Sequence, residues 1–348
     1  MKKHITALLC LSLTMSMSAI AGAEAVTEEM SEITAEVIEI SSAEELAAIN
    51  DNLSGNYVLA ADIDLAGEAW TPIGAFVSSG EGEESEMPDE TAAFTGSFDG
   101  NGHTISNLKV GGEDGIAVGL FGCIANASVG NFTLDQAVSE GTIMAADAVG
   151  YAYFSQVSDV TLTNGTVTAY SSELSGDGMY GGIVAAGMCS VIENCTAQAD
   201  VVIPDNTANA GIVGGGLEMT SVIGCTAEGT ISAGSDCYGL GGISGCGFAA
   251  EEFTDCTAQN VTITAGEGSR WIGGITGYAG GYEAAEYGMP VTVFTNCTAS
   301  NVTVDADENA EGVGDIVGSG FFSEEVAEAM GAPFDQPTQF TLVDCAAQ

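Results

Sequence analysis

Ile192-Glu193-Asn194-Cys195-Thr196-Ala197 returns along the chain as Val222-Ile223-Gly224-Cys225-Thr226-Ala227, Phe253-Thr254-Asp255-Cys256-Thr257-Ala258 and Phe294-Thr295-Asn296-Cys297-Thr298-Ala299. Each copy has a large apolar residue first and Asn, Asp or Gly third. An apolar residue or Cys stands fourth, and an apolar residue or Ala sixth. The same six-position pattern occurs at residues 105–110, 129–134, 157–162 and 342–347, which makes eight copies. A repeat of this kind signals a solenoid.

The spacing has a steric cause. Alternate residues of a strand share a face, so the fourth and sixth positions can both point inward. The first and fourth cannot do so unless the chain bends between them. Asn, Asp and Gly enter the left-handed region at least cost. Each copy therefore predicts a strand end, a corner and a new strand. The inward residues Leu108, Phe132, Val160, Cys195, Cys225, Cys256, Cys297 and Cys345 should line one interior column.

Two further repeats fill out the turn. Gly119-Leu120-Phe121-Gly122, Gly182-Ile183-Val184, Gly211-Ile212-Val213, Gly242-Ile243-Ser244 and Gly274-Ile275-Thr276 mark a second strand. Val201-Val202-Ile203, Val261-Thr262-Ile263 and Val302-Thr303-Val304 mark a third. Runs rich in Val, Ile and Thr and bounded by Gly, Asn and Asp read as strands. The expected fold is all-β: a parallel β-helix of three strands per coil and about eight coils, forming one repeat domain over residues 41–348. Ser42 with Glu45 resembles a capping box, and Leu46 and Ile49 give one apolar face. A short helix from Ala43 to Asn50 should therefore close the first coil.

Residues 1–23 read as a signal peptide. Lys2-Lys3 precede an apolar run from Ile5 to Ile20, and Ala21-Gly22-Ala23 suits cleavage. An acidic linker, 24–40, follows, and export to the cell surface or medium is expected. The formal net charge is −45 from 49 acidic and four basic side chains. Cleavage removes two of those bases, Lys2 and Lys3. So negative a surface repels phosphate backbones and anionic lipid, so neither nucleic acid nor membrane insertion after cleavage is expected. The sequence stops just past its last corner, and an incomplete coil leaves strand edges open. A downstream module or capping partner at the C-terminal end is the corresponding expectation.

Trp70-Thr71-Pro72-Ile73-Gly74, then Phe94-Thr95-Gly96-Ser97-Phe98-Asp99-Gly100-Asn101-Gly102-His103-Thr104-Ile105-Ser106-Asn107-Leu108, then Gly119-Leu120-Phe121-Gly122 resembles bacterial surface proteins that contain the GLUG motif. The resemblance implies a secreted or cell-surface right-handed β-helix, often joined to adhesin-like or protease-like modules. Later coils depart from it, replacing the Gly-Leu form with Gly-Gly-Ile.

Chemistry-bearing residues are sparse. Five of the cysteines beyond the leader share one repeat position. Stacked at about 4.8 Å with parallel Cβ vectors, they read as buried thiols instead of disulfides. Cys123 and Cys246 share another register several coils apart and should not pair. No Cys-x-x-Cys is present, and His103 lies in a Gly-Asn-Gly-His turn, so zinc and a catalytic histidine are not expected. Acidic residues such as Asp62, Asp64, Asp305, Asp307 and Glu308 form no calcium-loop pattern. No metal, cofactor or catalytic residue is assigned.

The expected function is binding or adhesion toward an extracellular glycan or protein ligand, without enzymatic activity. Two long insertions, after Ile275 and after Ile316, fall at the same point of consecutive coils. They bring Tyr278, Tyr282, Glu283, Glu286, Tyr287, Phe321 and Phe322 to one edge as candidate ligand-binding residues. One alternative is a polysaccharide-degrading glycoside hydrolase, for which 49 acids make chance carboxylate pairs inevitable. Another is a purely structural stalk displaying other modules. A uronate lyase is disfavoured because only Lys109 and Arg270 could neutralise its substrate.

Overall fold

The computed structural model describes residues 36–78, 87–112, 116–170, 178–247, 251–280, 291–318 and 340–348. The expected signal peptide, 1–23, and most of the expected acidic linker lie outside the described residues. All eight third-position residues turn the backbone into the left-handed region: φ is +59° at Asn107 and Asn131, +54° at Asp159, +55° at Asn194 and Asp255, +62° at Gly224, and +53° at Asn296 and Asp344. Seven of the eight inward residues then stack. Phe132 pairs with Val160, and the registers Thr161–Thr196, Thr196–Thr226, Thr226–Thr257, Thr257–Thr298 and Thr298–Ala346 carry the column through the five cysteines to Cys345.

Leu108 does not join that column. Its carbonyl accepts from Val138 N at 2.9 Å, and Lys109 pairs with Val138, which places Leu108 beside Ala137. Asn107 belongs to a second corner, stacked with Gln136 (φ +56°) and Asn164 (φ +54°). The first corner of its turn follows Phe98, which pairs with Val129, and is made by Asn101 and Gly102 at φ +50° and +76°. Both corners need a left-handed residue between inward apolar ones, so their local sequences look alike.

These corners build an all-β parallel solenoid with almost no helix. Its strands form ladders of 21, seven and six members. A middle turn contains four strand segments: Val191–Glu193, Thr196–Ile203, Ala208–Gly211 and Gly214–Glu218. The Gly-Ile repeat is a corner and not the strand expected there. Gly182 and Ile183 form the bend between Met179–Gly181 and Val184–Met188, which lie in different ladders. A Cβ on Gly182 would come within 2.5 Å of the Ile212 carbonyl oxygen of the next turn, so close stacking at this bend requires glycine. The expected third strand is the far half of Thr196–Ile203, whose residues alternate between exposed and buried.

A helix over Ala43–Ala47 and a 3-10 turn over Ala48–Asp51 close the first coil, with Leu46 and Ile49 fully buried. Ser42 Oγ accepts from Glu45 N at 3.2 Å, while Glu45 Oε2 accepts from Ser41 N at 2.8 Å. Val37–Ile40 pairs with Asn56–Leu59, so the sheet begins four residues before Ser41.

The cysteine column is a row of free thiols. Cys256 Sγ donates to Val222 O at 3.3 Å and Cys297 Sγ to Phe253 O at 3.5 Å, reaching carbonyls of the turn below. The Cys195 thiol beside it, and then burial, raise Cys225 above the ordinary thiol range; Cys256 and burial do the same to Cys297. Cys123 and Cys246 share one column, separated by Tyr151, Ala186 and Gly216.

Among the described residues, two acidic side chains are fully buried: Glu251, whose Oε2 accepts from Thr292 Oγ1 at 2.5 Å, and Asp147. Ser139 Oγ donates to its Oδ1 at 2.7 Å, while Oδ2 has no partner. Burial pushes its carboxyl up to about 8, against the lowering effect of the Ser139 bond. A folded pKa above the unfolded value of about 4 gives stability that is full below about pH 4 and lost as pH rises toward about 8. Asp147→Asn should flatten that loss and raise the urea midpoint at pH 8, with a gain above about 1 kcal/mol. An unchanged pH profile of unfolding would show that the carboxyl ionises freely.

Gly229 tests the stacking directly. It sits at φ +126°, where a Cβ would collide with the Ala199 carbonyl oxygen, whereas Gly102 at φ +76° has open space around it. Gly229→Ala should cost more than about 3 kcal/mol, and Gly102→Ala about 1–2 kcal/mol, by urea unfolding.

Candidate ligand-binding site

Of the residues expected at the insertion edge, Tyr278 is described; Tyr282, Glu283, Glu286, Tyr287, Phe321 and Phe322 lie outside the described residues. Tyr278 belongs to Thr276–Ala279, pairs with Cys246, and is only 4% exposed. Its hydroxyl donates to Gly280 O at 3.2 Å. Its ring lies 5.0 Å from that of Trp271 at 39°, so Tyr278 supports a neighbour instead of offering an open stacking face.

That neighbour is part of a cluster the sequence reading missed. Arg270–Gly273 runs between Tyr238–Gly241 below and Glu311–Gly314 above, with Tyr238, Arg270 and Glu311 in one register column. Trp271 is 4% exposed and meets the Tyr238 ring edge-on at 5.7 Å. The half-buried Arg270 guanidinium carbon lies 5.0 Å from the Tyr238 ring centre and 5.3 Å from that of Trp271. The two rings thus hold the guanidinium in place.

Backbone conformation sets this cluster apart. The next column holds Asn209, Gly239, Trp271 and Gly312, all left-handed, with φ of +52°, +69°, +55° and +66°. Its other three members are types that tolerate this region, whereas an indole there costs about 1–2 kcal/mol. Packing on Tyr238 and Tyr278 offsets that cost. A signal was present in the sequence: the single arginine of the chain directly precedes one of its two tryptophans.

An arginine remains protonated throughout the physiological range, so this cluster can bind and orient oxygen-bearing groups but cannot act as a base. Elsewhere, His103 Nδ1 lies 3.0 Å from Asp62 Oδ1 at the start of a strand. The Thr104 amide, followed by His103, holds Asp62 below the usual carboxylate range. Asp64 accepts from Asn107 Nδ2 at 2.7 Å. Among the described residues, no three His, Cys, Asp or Glu side chains are grouped to hold a metal, and no helix is long and apolar enough to cross a membrane. Two open concavities, of about 410 and 310 Å³, flank Val302 and Val313 in one case and Lys109 and Gln136 in the other. Neither has an aromatic lining, so the Arg270 cluster, a surface patch, remains the candidate.

No family model matches the chain. It is 36% identical over 152 residues to halomucin of Haloquadratum walsbyi (strain DSM 16790 / HBSQ001), a stretch covering 42% of this chain and 2% of halomucin. Among solved structures, it is similar to an IgA1 protease at a TM-score of 0.48 and 19% identity, covering 82% of this chain and 20% of the other.

Trp271→Asn would relieve the backbone but delete a buried indole, and the two effects differ in size. Loss of a large buried aromatic costs about 3–5 kcal/mol, so the variant should be less stable by about 2 kcal/mol in urea unfolding. A variant as stable as the parent would mean that the ring contributes no more than the strain it imposes.

Proposed function

We propose that this chain is a secreted or surface-displayed right-handed β-helix that binds an extracellular glycan or protein ligand and catalyses no reaction. The observation carrying the binding role is the Arg270 guanidinium held against Tyr238 and Trp271, a donor group set beside aromatic rings at the surface. The leader-like residues 1–23 and the net charge of −45 support an exported protein. Likeness to a stretch of halomucin supports a surface or secreted setting. Three separate ladders support a three-sided coil. Asn101, below the seven corners from Asn131 to Asp344, supports about eight coils.

The rigid scaffold explains why a site at this edge would be useful. Successive turns fix Tyr238, Arg270 and Glu311 in register, so the site is ordered before a ligand arrives and little freedom is lost on binding. The secreted chain, immobilised on an array of neutral and acidic glycans and matrix proteins, should retain at least one ligand at micromolar Kd. Tyr238→Ala should weaken that ligand about tenfold, which is about 1.4 kcal/mol. Retention of nothing on the array would overturn the binding role. Release of reducing sugar from a polysaccharide panel would overturn the absence of catalysis.

A further inference from the structure

Arg270 is the only arginine in a chain with 49 acidic residues, and an ion pair would be its ordinary fate. It makes none among the described residues, where the only ion pair is that of His103 with Asp62. Glu311 stands directly across the rung, yet its carboxylate is not within 4.0 Å of the guanidinium. Arg270 Nε is buried without a hydrogen-bond partner. The guanidinium is fixed by Tyr238 and Trp271, and among the described residues no acceptor for its N–H donors is found.

A planar, pre-oriented fork matches a two-oxygen anion, which can accept two parallel hydrogen bonds. The surrounding field restricts which anion can approach. At a net charge of −45, every further negative group on a ligand adds repulsion, so a polyanion is excluded and a ligand with one carboxylate is favoured. Glu311 adds a second requirement, because an exposed carboxylate only accepts hydrogen bonds. A carboxylated sugar presents its acid beside ring hydroxyls that can donate to Glu311. A peptide C-terminus brings the acid with few donors.

We propose that Arg270 recognises the carboxylate of a single acidic sugar, a terminal hexuronate or sialate, on an otherwise uncharged glycan. This inference rests on the binding role proposed above and specifies its ligand class. The test uses the secreted chain, with calorimetry and tryptophan fluorescence as readouts. The probes are sialyllactose and a glucuronate-terminated disaccharide, each beside its carboxamide derivative, with neutral lactose and a free-acid peptide as competitors.

One of the acids should bind at least tenfold more tightly than its amide. Arg270→Gln should remove that preference, and Arg270→Lys should keep only part of it. Rising salt should leave the affinity unchanged or improve it, because screening relieves the long-range repulsion. Equal binding of acid and amide, binding of neither, or a preference that survives Arg270→Gln would each overturn the proposal. Competition by the peptide but by no sugar would overturn it in favour of a protein ligand. The acid–amide comparison on the unaltered chain decides the matter even if the Arg270 variants fold poorly. An array that retains a neutral glycan or a protein with no acid preference would defeat this inference and leave the broader binding role standing.

Discussion

Parallel strands of successive turns stay paired only where their corners stack, so each turn must leave the extended region at the same point as the one below it. Left-handed residues at Asn131, Asp159, Asn194, Gly224, Asp255, Asn296 and Asp344 meet that condition. Most other residue types would cost about 1–2 kcal/mol at each such position. Asn and Asp add a second benefit, because their side chains bond from turn to turn. Asn131 Nδ2 donates to Asp99 Oδ1 at 2.8 Å, and Asn301 Nδ2 donates to Asn260 Oδ1 at 2.7 Å. The element that bends the chain thus also ties the turns together.

Stacked corners bring like against like in the interior. Phe253 lies on Phe294 with ring centres 4.7 Å apart and planes 9° from parallel. The alanines Ala197, Ala227, Ala258 and Ala299 repeat beside the thiols, all of them buried. Cysteine suits this column because it fills the space of a small apolar residue while its S–H reaches a carbonyl of the turn below. Thiols whose pKa is raised by their neighbours and by burial remain protonated, which makes them filler and not nucleophiles. Asp147 breaks the rule, placing a carboxyl where neighbouring turns carry glycine or apolar groups.

How far the sequence could be read followed from whether a residue's conformation depends on its own chemistry or on its neighbours. Asn, Asp and Gly choose the left-handed region by themselves, so all eight corners were legible. Ile105-Ser106-Asn107-Leu108 went to the wrong column because both corners of a turn impose the same local demands. The Gly-Ile repeat looked like a strand because its apolar residues are inward-facing, yet close approach between turns makes it a bend. Phe154, Cys189, Met219 and Trp271 are also left-handed, at φ of +46°, +50°, +47° and +55°, and no local preference announces them. Trp271 is held there by its packing on Tyr238 and Tyr278, so the Arg270-Trp271 pair marks the cluster in the sequence but its left-handed backbone does not. Tyr278 is expected as a ligand-binding residue, and the structure buries it against Trp271.

The energetics of Arg270 link the scaffold to its surface. A cation–π contact is worth about 0.5–2 kcal/mol, comparable to the cost of holding Trp271 left-handed. The net stability of the clamp therefore comes mainly from burial of the indole, and pairing with Glu311 would have been the simpler way to use the charge. Its influence on approaching ions is also short in range. At physiological salt the Debye length is about 8 Å, so beyond the first shell an anion meets the acidic surface and not the guanidinium. Only a group that reaches the fork itself can profit from it. A rigid edge, a fixed donor fork and a repulsive surround together select for a ligand that is small in charge and specific in shape.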